Sequence, residues 1–214
     1  MYIPATNAEH RPEVMFDFIE AHSLGVLVTT SSDGLFATHL PLLLDRSRGE
    51  HGALEGHVAR ANPQHAFPAG ETDALVIFSG PDAYISPSFY PSKEIHGKVV
   101  PTWNYVAVHA YGRVRYNSDP IFLRAHVERL TAHHESGRAR PWSVGDTPEG
   151  YVDGMLRAIV GVEIDITRLE GKWKMSQNRP AEDIDGVVAG LSVSDDGQGR
   201  EVAALVQERR PRNS

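Results

Sequence analysis

Runs that favour strands crowd the first half of this chain at short spacing, and helical segments enter between them as inserts instead of alternating with every strand. A barrel with peripheral helices, mainly β within the α+β class, fits that order best. The first helix is expected over about Arg11 to His22, where Pro12 suits an opening turn and Val14, Phe18 and Ile19 recur at helical spacing. Gly25 to Thr30 is rich in β-branched residues, and Asp33-Gly34 can supply the positive φ angles of a tight turn into Leu35 to Leu44. Ala53 to Ala59 reads as a third strand. "ALVIFS", Ala74 to Ser79, is a short continuous apolar run bounded by Asp73 and Gly80, which suits a strand buried on both faces. Thr102 to Tyr116 is expected as one long strand.

Asp119-Pro120 joins a carboxylate that accepts an end N–H to a residue with no donor to leave unsatisfied, opening a helix to about Glu135. Thr147-Pro148-Glu149 repeats the device for a helix reaching Arg157, after which "IVGVEIDI" returns to strand alternation. Ala181 to Leu191 is expected as a last short helix. From Ser192 the chain is rich in Ser, Asp, Gly and Arg, and briefly apolar at Val202 to Val206. With 214 residues and 41% hydrophobic content, one domain over 1–191 and a loosely held tail over 192–214 are expected.

The chain has no cysteine, which excludes disulfides, thiolate metal sites and cysteine nucleophiles. No apolar stretch is long enough to span a membrane, and "MYIPATNAEHRPE" lacks the pattern of a signal peptide, so a cytoplasmic protein without a membrane partner is expected. Eleven histidines form no pattern that makes a convincing metal site. A formal net charge of −7 opposes binding to a phosphate backbone, so any DNA contact needs a local patch, either Arg138 and Arg140 or the tail Glu208-Arg209-Arg210-Pro211-Arg212. The helices at Asp119 and Thr147 are too far apart for a helix-turn-helix.

Four segments concentrate polar and conformationally special residues: "HVARANP" (57–63), "GPDAYISPS" (80–88), "VPTWNY" (100–105) and "GKWKMSQNR" (171–179). Together they offer cations and hydroxyls for a phosphate, amides for the edge of a flavin ring and aromatic faces. In the first, a strand ends and Asn62-Pro63 can begin a helix, which places Arg60 near a natural anion site. Arg60 suits phosphate because its fork binds two oxygens, yet Asn62 as a plain cap beside a surface Arg60 explains the same residues. His57 is more often a half-buried strand histidine than a ligand. The run of glycine and prolines at 80–88 is expected as an irregular loop that presents Tyr84, Ser86 and Ser88, or as a rigid turn. Trp103 is a packing residue at least as readily as a cofactor contact. In the last segment two lysines flank a tryptophan before Ser176, Gln177 and Asn178, a crowding that marks recognition or a loop.

"MYIP", "GHVARANP", "GPDAYISPSFYPSK", "VVPTWNY", "IVGVEI" and "GKWKMSQNR", in this order from Met1 to about Leu191, resemble the PaiB family, described as FMN-binding negative transcriptional regulators. Phe89 stands where the family pattern commonly has tryptophan. The resemblance implies an FMN-binding split β-barrel related to pyridoxamine phosphate oxidases and flavin reductases, working as a homodimer with FMN at the subunit interface. It places His57, Arg60, Ala61 and Asn62 at the FMN phosphate and brings Lys93, Trp103 and Asn104 to the pocket. Lys174, Gln177 and Asn178 become candidates for reaching the partner's flavin. A flavin-sensing regulator leads; an FMN-dependent oxidoreductase acting on a small molecule and a flavin or haem binding module without turnover are the alternatives. No residue stands out as a committed acid or base, although flavin chemistry asks the protein mainly for positioning and tuning.

Overall fold

The computed structural model describes residues 1–32, 34–66 and 72–211. Its strands are β1 (Ala8–Glu9), β2 (Leu24–Ser31), β3 (Gly34–Pro41), β4 (Leu43–Asp45), β5 (Ala53–Ala59), β6 (Thr72–Ile85), β7 (Thr102–Asn117) and β8 (Ile159–Lys174). Its helices are α1 (Pro12–Ala21), α2 (Ser92–His96), α3 (Pro120–Glu135), α4 (Tyr151–Leu156), α5 (Ala181–Ser192) and α6 (Gly197–Glu208). The described strands join one sheet in the order β3, β2, β6, β7, β8, β5, β4, with β1 paired to β8. Two compact units divide the chain. The first comprises Met1–Arg11, Ser79–Val108 and Glu170–Ser214, the second Pro12–Phe78 and His109–Leu169, and β6, β7 and β8 each run from one into the other.

In the second unit β2 and β3 form the expected hairpin, antiparallel from Leu24↔Pro41 to Ser31↔Gly34. Gly34 has φ 113°, a conformation open to glycine, while Asp33 lies outside the described residues. Alternation buries Gly25, Leu27 and Thr29 of β2 against Leu54, Gly56 and Val58 of β5 and Val160, Val162 and Ile164 of β8 as the inward-facing set. On α1 the buried Met15, Phe16, Phe18 and Ile19 form one apolar stripe. Gly112 lies so close to the Asp165 carbonyl that a Cβ there would overlap it. On α3, Asp119 accepts the Ile121 N–H at 3.0 Å as the expected cap.

In the first unit α5 and α6 pack together, and Asp183 of α5 fastens α2 by accepting from the Ser92 N–H (3.0 Å) and hydroxyl (2.7 Å). A Cβ on Gly186 would overlap the Phe89 carbonyl, and one on Gly190 the Phe89 ring, so α5 approaches Phe89 closely through these two glycines. Glu9 of β1 is buried, accepts from Arg11 Nη2 at 2.6 Å, and is bridged by Arg209 just beyond α6.

Several expectations change. β6 does not stop at Ser79 but continues through Gly80 to Ile85, where a loop was expected; Pro81, Ala83 and Ile85 turn inward while Asp82 and Tyr84 turn outward, and that alternation outweighs the glycine and proline. Likewise Gly171 to Lys174 belongs to β8, because β1 offers its backbone as a partner (Ala8↔Lys172, Glu9↔Gly171). The helix expected from Thr147 opens at Tyr151, after Gly150 at φ 75°. Asn62-Pro63 opens a single 3-10 turn, Pro63–Ala66, and the segment expected as a loose tail carries α6, whose Val202, Ala203 and Val206 are buried at helical spacing.

Candidate cofactor site

In the second unit the candidate residues sit at and just beyond the end of β5. His57 places its Nδ1 3.1 Å from Nε2 of His126 on α3, and His126 is 0% exposed and stacked on Phe122 at 6.2 Å. Burial, then the neighbouring His57 and Arg129 charges, pushes His126 down to about 4; burial also lowers His57. The two rings therefore form a neutral pair at ordinary pH, and the buried His126 Nδ1 has no hydrogen-bond partner.

Arg60 is exposed but fixed. Its N–H donates to the Ala158 carbonyl (2.7 Å), and its guanidinium donates from Nε to the Arg157 carbonyl (2.7 Å) and from Nη2 to the Ile159 carbonyl (2.9 Å). It borders a cavity of about 390 Å³ with Ser118, Pro120, Leu123 and Arg157, at the N-terminal end of α3. Asn62 donates to Thr38 Oγ1 and accepts the Gln64 N–H, both at 2.9 Å, so the capping role is real; Ala61 is an exposed turn residue. Arg157 and His126 escaped the sequence reading. His126 did leave a trace, since Leu123, His126 and Leu130 share the buried face of α3 at helical spacing.

In the first unit Trp103 is 54% exposed and meets Tyr84 edge to face, with ring centroids 5.9 Å apart. Asn104, by contrast, is 0% exposed, and its Nδ2 donates to Ser176 Oγ at 2.9 Å. Asn104, expected at the cofactor pocket, is bonded to Ser176, which is held at φ 62°, unusual for a residue with a Cβ. Lys174 donates from Nζ to Thr102 Oγ1 (2.5 Å) and to the Trp103 carbonyl. Burial, then the Lys172 and Arg179 charges, lowers its pKa. The Gln177 side chain accepts the Met175 N–H (2.7 Å) and donates to the Trp173 carbonyl, closing its own loop. These bonds bring Trp103, Asn104, Lys174 and Ser176 together, whereas Gln177 turns back on its own loop, Asn178 is exposed on that loop and Lys93 is exposed on α2, 3.9 Å from Glu94. Ser176 gave no signal as a positioning partner beyond its polar neighbours.

Of the basic residues considered for DNA, Arg140 is exposed and three others are engaged within the chain. Arg209 bridges Glu9, Arg210 pairs with Asp185, and Arg138 pairs with Glu135 at 2.9 Å; Arg212 lies outside the described residues. Among the described residues no helix is long and apolar enough to cross a membrane.

A solved structure, the FAD and Heme binding protein from Mycobacterium smegmatis, shares this fold with a TM-score of 0.56 at 14% identity, covering 86% of this chain and 80% of that one. The architecture is accordingly the α+β split barrel of flavin-binding proteins. A family model described as "Putative FMN-binding domain" matches residues 1–168. Protease synthase and sporulation protein PAI 2 of Bacillus subtilis (strain 168) is 33% identical over 210 residues, 98% of each chain. An uncharacterized protein of Emericella nidulans is 36% identical over 244 residues, 98% of this chain and 97% of the relative. The chain belongs to this FMN-binding family, in its PaiB branch, and FMN is its cofactor.

Proposed function

We propose that this protein is a flavin-sensing negative regulator of the PaiB type, cytoplasmic and homodimeric with FMN at the subunit interface, in which Arg60 anchors the FMN phosphate. The observation that carries the reading is the cavity beside Arg60. A phosphate dianion must be neutralised where it sits, or its desolvation opposes binding. Arg60 is preorganised by two backbone carbonyls and Arg157 adds a second guanidinium, while the lining carboxylate, Asp153, is paired with Arg124. Lys174, Gln177 and Asn178 are the residues proposed to reach the flavin across the dimer, with His57 and Ala61 at the edge of the site. Bound FMN supplies a redox-responsive group, and the regulatory effect runs through its state more than through the DNA backbone, since the net charge is −7 and Arg138, Arg209 and Arg210 are paired within the chain.

The purified protein should show the absorbance of oxidised flavin, released on denaturation, and light scattering should report twice the chain mass. Arg60→Ala should weaken FMN at least about tenfold, about 1.4 kcal/mol, and leave riboflavin, which lacks the phosphate, nearly unchanged. Equal weakening of both ligands would assign Arg60 to the fold or the flavin ring. Sustained oxidation of a nicotinamide cofactor by the flavin-loaded protein would turn the reading toward an oxidoreductase.

A further inference from the structure

We propose that the first unit carries a site for a small organic cation with a flat apolar body, in the cavity walled by Tyr84, Phe89 and Trp103. The cavity holds about 470 Å³, within the range of small-molecule sites, and is completed by Asp82, Asp196 and Gln198. Strand alternation turns Asp82 and Tyr84 of β6 outward, and Trp103 stands exposed near the start of β7. Two large rings, 49% and 54% exposed, therefore face one concavity instead of the core.

The wall is built, not incidental. Phe89 is received by α5 at Gly186 and Gly190, where any Cβ would overlap its carbonyl or its ring, so the aromatic wall is held against a helix that has given up side chains to admit it. The charged side chains that line it are carboxylates, while the nearby Lys174 and Arg200 are spent on the backbone carbonyls of Trp103 and Ser194. Asp82 and Asp196 line the cavity, and no lysine or arginine is among its lining residues. Asp196 accepts the Gln198 N–H at 3.0 Å, so the positive end of α6 is already answered from within the chain. Carboxylates and the negative faces of aromatic rings both attract a cation and repel an anion. A phosphate-bearing ligand such as FMN belongs at the Arg60 cavity; a compact ammonium with an aryl or alkyl body belongs here. This inference rests on the first unit alone and stands whether or not Arg60 binds phosphate.

The test is calorimetric titration of the full-length, flavin-loaded protein with three probes of similar size: benzyltrimethylammonium, neutral benzyl alcohol and anionic 3-phenylpropionate. The cation should bind at least about tenfold tighter than either of the others. Asp82→Asn, which keeps the side-chain shape, should weaken it about threefold or more without changing flavin content. Trp103→Leu should weaken it further while the circular dichroism spectrum stays that of the parent. An affinity for benzyltrimethylammonium no greater than for benzyl alcohol, tighter binding of 3-phenylpropionate, or no response to either substitution would overturn the proposal. Release of FMN at saturating cation would also overturn it, by merging this cavity with the flavin site.

Discussion

Glu9 in the first unit and His126 in the second are both buried titratable groups, and the two are handled in opposite ways. In the first, Glu9 stays ionised: the Arg11 hydrogen bonds, with help from Arg209, hold its carboxyl at about 2 against the cost of burial. In the second, the side-chain hydrogen-bond partner of His126 among the described residues is another histidine, and burial drives it neutral. A buried group that finds an opposite charge keeps its own, and one that does not gives its charge up.

Removing the Glu9 charge should have the largest effect. Glu9→Gln leaves the Arg209 guanidinium, which is mostly buried and lies 4.9 Å from the Trp173 ring, without its buried carboxylate and with only the exposed Glu208, 3.7 Å away. Breaking one partner of such a pair costs about 3–5 kcal/mol. Urea unfolding should show a loss of that order; a loss below about 1 kcal/mol would make the pair equivalent to a surface bridge and erase the contrast.

The pH dependence should then separate the two units. His126 has its folded pKa depressed from 6.5 to about 4, so its neutral form contributes stability that is full above 6.5 and is lost as pH falls from 6.5 toward 4, by about 3 kcal/mol at most. Glu9, depressed from 4.5 to about 2, contributes stability that is full above 4.5 and is lost between 4.5 and 2. Stability measured against pH in His126→Leu should flatten between 6.5 and 4 and keep the lower step. If the upper step persists, a histidine other than His126 carries it.

A smaller effect probes close packing on both sides. Gly112→Ala in the second unit and Gly186→Ala in the first each push a methyl into a backbone carbonyl, of Asp165 and Phe89 respectively. Overpacking of this kind costs about 1–3 kcal/mol. Calorimetry should find both variants less stable, and Gly186→Ala alone should also weaken cation binding, because it moves Phe89. An unchanged melting temperature for either would show that its strand or helix can shift to admit the methyl.

Much of the fold was readable because its causes are local. Asp119-Pro120 announces α3 within three residues, the apolar spacing of α1 needs one turn of helix to recognise, and β5 begins and ends where its alternation does. α6 was misjudged because a serine, aspartate and glycine rich approach hid three apolar residues at helical spacing. The lengths of β6 and β8 were misjudged for another reason. A proline or a lysine inside a strand looks like an interruption until a neighbouring strand supplies hydrogen bonds, as β1 does for Gly171 and Lys172.

The same division holds for the candidate residues. Sequence alone determined the residue types available: an arginine after a strand, a tryptophan next to an asparagine, two lysines before a polar run, and no thiol chemistry. It also determined the capping of the turn by Asn62, since Asn62 and Gln64 are two positions apart. Only the tertiary structure decided that His57 meets His126 across 69 positions, that Asn104 spends its amide on Ser176 across 72, and that Arg60 is braced on carbonyls 97 and 99 residues away. Hydrogen bonds reach about 3 Å, and whether two distant residues come that close is set by strand register and burial, which no local pattern encodes.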